Sequence, residues 1–166
     1  MKTNSCTKCG ARELEPTTFS ASRKVAGHTF QGEIAASKCN ACGETLVDGP
    51  ALEAFDVSAA LELARAGFAA PEAMRFMRSA LGLRAVELAE LLDLTPETIS
   101  RVENAKMPPD KRSVALLAAM LEDKAVGVTR TIDQLRAIAR PHKLKGTVRL
   151  NAASERTKGA ARRVRG

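Results

Sequence analysis

Apolar residues change their spacing twice along this 166-residue chain. Thr17–Val25 and His28–Ser37 alternate hydroxyl, charged and apolar residues on either side of Ala26-Gly27, a pattern that predicts two strands joined by a tight turn. From Asp48 the spacing becomes helical. Asp48-Gly49-Pro50 opens a helix that runs to about Ala66 and ends at Gly67. Its apolar positions (Leu52, Phe55, Ala59, Leu63) form a modest stripe, as expected of a connecting helix. Pro71 opens the next helix, with Met74, Met77 and Leu81 at helical spacing. Ala85–Leu92 forms another. Thr95 as N-cap and Pro96 in the first turn open the one after it. Met107-Pro108-Pro109 interrupts the chain. Ser113–Glu122 is helical, apolar at Val114, Leu116, Leu117, Met120 and Leu121. About Thr131–Ala139 follows, with Ile132, Leu135 and Ile138 on one side, and Pro141 ends it.

These elements predict an α+β chain: a small β module at residues 1–48, a linker helix at 49–70, an all-α domain at 71–140 and a tail at 141–166. No internal repeat is visible. The tail has no apolar periodicity, and its composition predicts disorder. The β module is too small for a self-sufficient hydrophobic core and needs a staple.

The staple is visible in the cysteines. Cys6-Thr7-Lys8-Cys9-Gly10 and Cys39-Asn40-Ala41-Cys42-Gly43 are two copies of C-x-x-C-G. Two intervening residues let both sulfurs face one ion, and the glycine permits the tight turn that follows. Four thiolates suit a closed tetrahedral structural zinc, one ion per chain. The spacing is equally compatible with rubredoxin-like iron. A thioredoxin-like redox pair needs one C-x-x-C within an α/β fold, which this chain lacks. Catalytic zinc would need an open position that four cysteines do not leave. His28 reads as a surface strand residue rather than a ligand. On this reading, replacing Cys39 unfolds residues 1–48 and leaves the helices intact.

Charge adds a partner. The net charge is +7. Residues 141–166 hold eight Lys/Arg and one Glu, while residues 1–140 hold eighteen of each sign. A neutral body with a cationic tail points to a polyanion, the plainer alternative being a solubilising appendage. Aromatics make up 3% of the chain, with no Trp or Tyr, which argues against base stacking on single strands. No secretory signal is seen, and the longest apolar stretch, Val114–Leu121, is too short for a bilayer. A cytoplasmic protein without membrane contact is expected. No Ser-His-Asp arrangement, phosphate loop or paired acids are recognisable, so no enzyme is expected.

Ala85–Asn104 fits a twenty-residue helix-turn-helix template. Leu88, Leu92, Leu94, Ile99 and Val102 fall where its two helices pack. Ala89 lies at their crossing, and Asp93 occupies the turn position that demands positive φ. The second helix of such a motif enters the major groove of double-stranded DNA with its leading residues at base edges. Those positions are Thr95, Glu97, Thr98, Ser100, Arg101 and Asn104. Arg101 is the strongest base reader, since a guanidinium bonds guanine O6 and N7 together. Glu97 can accept from cytosine N4. Lys106, Lys111 and Arg112 are expected phosphate contacts. The competing role for Arg101 is a surface ion pair.

Residues 86–104, Val-Glu-Leu-Ala-Glu-Leu-Leu-Asp-Leu-Thr-Pro-Glu-Thr-Ile-Ser-Arg-Val-Glu-Asn, resemble the Xre/phage-repressor helix-turn-helix family. Placed behind a doubled C-x-x-C-G module, they resemble the MqsA-type (YgiT-type) zinc-finger antitoxins over roughly residues 4–140. That resemblance implies an autorepressor that dimerises through its helical domain and binds a ribonuclease-like toxin through its zinc module. It implies base readers at Glu97 and Arg101, and the likeness to phage repressors implies a structural ion pair between Arg78 and Glu103. The chain differs from the pattern at Ala85 (commonly Gln), Glu97 (commonly Asn), Ala105 (commonly Gly) and in its basic tail. The function expected is thus a sequence-specific transcriptional regulator. The alternatives are an antitoxin acting mainly as a protein-interaction module and a metal- or redox-sensing regulator.

Overall fold

The computed structural model describes residues 5–141, 143 and 146–149. The remainder of the tail expected to be disordered lies outside the described residues. Two long strands, β1 (Leu14–Val25) and β2 (His28–Cys39), form an antiparallel hairpin paired from Leu14↔Cys39 at its base to Val25↔His28 at its tip. Ala26 and Gly27 both have positive φ (49° and 82°), the turn geometry whose twist matches paired strands. A short β3 (Thr45–Val47) pairs with Ala36–Lys38, giving the sheet order β1-β2-β3. β1 is therefore an edge strand along its whole length.

Six helices follow: α1 (Gly49–Arg65), α2 (Pro71–Ala80), α3 (Ala85–Leu92), α4 (Pro96–Glu103), α5 (Lys111–Ala125) and α6 (Arg130–Ala139). The helix starts at Pro71, Ala85 and Pro96 follow the local signals. α5 begins two residues earlier than its apolar pattern, because the Asp110 carboxylate accepts the Ser113 amide at 3.1 Å and caps it. Lys111 and Arg112 thereby stand in the first turn of a helix. At the start of α6 the cap comes from a neighbour: Asp123 of α5 accepts the Thr131 amide at 2.6 Å.

α1 is more than a connector. It packs against α2 and α5 on one side and against the hairpin on the other, with Val57, Ala59, Ala60, Leu61, Leu63 and Ala64 buried. Its small and branched residues cover a broad arc rather than one narrow stripe, leaving Ala54, Ser58, Glu62 and Arg65 on the exposed face, as befits a helix packed on two sides. One apolar core joins Val25 of the hairpin tip to α1, α2, α3, α4 and α5. The tip is held further by Arg23, whose guanidinium grips Asp56 of α1 at 2.7 and 3.2 Å. His28 meets the edge of Phe68 with ring centroids 4.8 Å apart. The β module thus shares its far end with the helical domain, and the expectation that residues 1–48 unfold without consequence for the helices does not follow from this packing.

Candidate nucleic-acid interface and metal centre

The two C-x-x-C-G segments fold into the same local turn. Gly10 donates to the Cys6 carbonyl at 2.9 Å, and Gly43 donates to the Cys39 carbonyl at 2.8 Å. Both glycines lie in the left-handed region (φ 75° and 74°). In each turn the first cysteine is buried and the second exposed. The hairpin base brings the turns together, so that all four sulfurs lie within 4.8 Å of one another. Cys6 and Cys42 sulfurs are 3.6 Å apart and those of Cys9 and Cys39 are 3.7 Å apart. A disulfide needs about 2.05 Å. Tetrahedral thiolates at a Zn–S distance of about 2.3 Å stand about 3.8 Å apart.

Protonation tells the same story. Cys6 is lowered to about 7, mainly because the Cys9 and Lys8 amides donate to its sulfur. At Cys42 the Glu44 amide favours the thiolate, yet burial and the crowding of the other sulfurs push it up to about 12. The opposite directions at Cys6 and Cys42 reflect sulfurs crowded together, and a cation among them would favour the thiolate at both. The four cysteines are positioned to hold a metal ion. Lys8 and Glu44 tie the two turns together with a 2.8 Å ion pair, which raises the Lys8 ammonium above its ordinary range. His28 stands at the other end of the hairpin.

The helix-turn-helix is built from α3 and α4. Asp93 takes φ 53° and ψ 45° between them, and the Leu94 amide returns to the Ala89 carbonyl at 2.9 Å. Leu88, Ala89, Ile99 and Val102 are buried, as the template requires. Two positions differ. Leu91 joins the core in place of Leu94, which remains 37% exposed. Leu94 instead lines a groove with Leu116, Leu135 and Ile138. The template contains only two helices and carries no information about α6, whose arrival creates that groove. Ile138 is itself 76% exposed, while Ile132 and Leu135 rest against the core.

On α4, Glu97, Ser100 and Arg101 are exposed and Thr98 is half-buried. Thr95 is occupied with capping: its hydroxyl accepts the Thr98 amide at 3.2 Å. Asn104 turns back on its own helix, its amide donating to the Ser100 carbonyl at 2.8 Å. Among the described residues Glu97 and Arg101 have no ion-pair partner, although they stand four apart on one face. Lys106, Lys111 and Arg112 are exposed as well. Behind this surface Arg78 of α2 donates from Nε and Nη2 to the two carboxylate oxygens of Glu103 at 2.6 and 2.8 Å.

Residues 74–122 match the helix-turn-helix family. The match covers α2 from Met74 through α5 to Glu122, and leaves the hairpin and the cysteines outside it. No curated protein and no solved structure matches the chain. A helix-turn-helix with an outward second helix is a DNA-binding, transcription-regulating unit. No helix among the described residues is long and apolar enough to cross a membrane.

Proposed function

We propose that this protein is a sequence-specific repressor of the zinc-finger antitoxin kind, which represses its own operon as a homodimer and carries one structural zinc per chain. One observation carries the reading. α4 presents Glu97 and Arg101 uncommitted on an exposed face, within a helix-turn-helix that follows a four-cysteine cluster in the same chain. Arg101 reads guanine in the major groove. Glu97 accepts from cytosine or sets register against phosphate. Lys106, Lys111 and Arg112 hold the backbone, and the capped N-terminus of α4 favours a nearby phosphate. When bound, zinc supplies folding free energy to the hairpin base and no chemistry beyond it.

The test is selection of duplexes from a random pool with the metal-loaded protein. One enriched palindrome is expected. Arg101→Ala then costs about 1–3 kcal/mol on that duplex and little on a scrambled one. Equal losses on both would reassign Arg101 to phosphate, and no enriched duplex would remove the reading.

A second role, sequestration of a ribonuclease toxin, is favoured by the outer edge of β1, which is unpaired among the described residues and whose backbone groups suit strand addition by a partner. Co-expression with the neighbouring reading frame tests it: relief of toxicity is expected, and persistence of toxicity ends it.

A further inference from the structure

Among the described residues from 49 to 140, every Lys and Arg lies within 3.9 Å of a carboxylate oxygen except Arg75, Arg101, Lys106, Lys111 and Arg112. Four of these uncompensated cations already belong to the DNA-facing set. Arg75 is the fifth, and it lies on α2, outside any surface the sequence pattern marks.

Its place on α2 follows from the burial of its neighbours. Ala73, Met74, Met77 and Ala80 form the buried face. Glu72, Arg75 and Ser79 are exposed, while Phe76 and Arg78 are half-buried on opposite flanks. Arg78 marks the flank that faces α4, because it is bound to Glu103. Three residues earlier on a helix of 3.6 residues per turn is a rotation of about 60°, and the burial of Met74 shows that this rotation is outward. Arg75 therefore stands on the solvent-facing side of α2 with Glu72 and Ser79, next to the flank that carries Arg78 and one turn from the Arg78–Glu103 link. That link leads to the end of the recognition helix, where Lys106 follows three residues after Glu103. Glu72 is available at i−3, yet it does not neutralise Arg75. A run of unneutralised cations across adjoining elements produces the positive potential that draws a polyanion.

We propose that Arg75 contacts a DNA phosphate, extending the binding surface from the recognition helix across the Arg78–Glu103 link onto α2. The proposal rests on the DNA-binding reading above. As a phosphate contact, Arg75 contributes affinity without sequence preference.

The experiment uses the full metal-loaded chain, a 30-base-pair duplex recovered by selection and a scrambled duplex of equal composition, with binding titrated against salt. For Arg75→Gln the slope of log affinity against log salt falls by about 0.9. The loss is equal on the two duplexes and shrinks about threefold between 50 and 200 mM salt. Arg75→Lys keeps the wild-type slope. The side chain is exposed and unpaired, so both variants keep the native melting temperature. A wild-type slope in Arg75→Gln overturns the proposal while leaving the DNA-binding reading in place. The same drop in Arg65→Gln, a paired cation on α1, also overturns it, because any lost charge would then act alike. Failure of the wild-type chain to bind either duplex removes both.

Discussion

Arg78 and Glu103 form a two-pronged ion pair between the first helix of the DNA-binding unit and the end of its recognition helix. The side chains are 15% and 9% exposed. The remaining guanidinium nitrogen, Nη1, donates to the Leu83 carbonyl at 2.7 Å. This pairing holds the Arg78 guanidinium above its ordinary value, through the hydrogen bond to Glu103 first. Glu103→Ala leaves a nearly buried cation without its partner. A loss of about 3 kcal/mol is expected, at the low end for a buried pair because part of the guanidinium meets water. Urea unfolding measures it. The double variant Arg78→Met with Glu103→Leu is expected to lose less than Glu103→Ala alone, since no charge is stranded.

Removing a metal from the four-cysteine site is expected to reach beyond the cysteines. The hairpin base holds the four sulfurs, while its tip shares a core with α1 and α2 through Val25 and is fastened by Arg23–Asp56 and His28–Phe68. Chelation, or Cys39→Ser, is expected to lower the melting temperature of the helical domain and to shift the amide signals of Asp56 and Phe68. Helical signals and a helical melting temperature indifferent to chelation would show that the two ends of the hairpin act independently.

Ala105 closes the recognition helix with φ 57°. Its amide and that of Lys106 donate to the Val102 and Arg101 carbonyls at 3.0 and 2.8 Å, the paired hydrogen bonds of a left-handed helix end. An alanine Cβ is strained there, and glycine is not. Ala105→Gly should therefore stabilise the fold by about 0.5–1 kcal/mol, the gain being limited by the extra freedom of glycine in the unfolded chain. Calorimetry checks the sign.

Acid should loosen the start of α5. The Ser113 amide, as the largest influence, holds the Asp110 carboxyl below its ordinary value of 3.8. A depressed carboxylate contributes stability that is complete above the unfolded-state value and is lost as pH falls through the folded-state value. Asp110→Asn should thus be less stable than the wild type at pH 7, with the difference narrowing below pH 3.8. A gap that stays constant from pH 7 to pH 2 would mean that the carboxylate charge plays no part in the cap.

Local chemistry made much of this protein readable in advance. The paired C-x-x-C-G turns need only their own glycines and spacing. The hairpin turn needs Ala26-Gly27, and α4 needs Thr95 and Pro96. The left-handed Asp93 is a requirement of two helices joined by so short a turn. Each of these depends on residues within a few positions of one another, so the chain order carries the information. What the order did not carry depends on partners distant in sequence. α1 looked like a connector because its burial is divided between a hairpin and a helical pair. Leu94 looked like core until α6 arrived beside it. Nothing in the chain order marks Arg75, which stands out only once the neighbouring charges have found their partners. Which side chains are buried, and which charges stay uncompensated, is settled only when all the elements compete for the same space, and that competition is the tertiary structure.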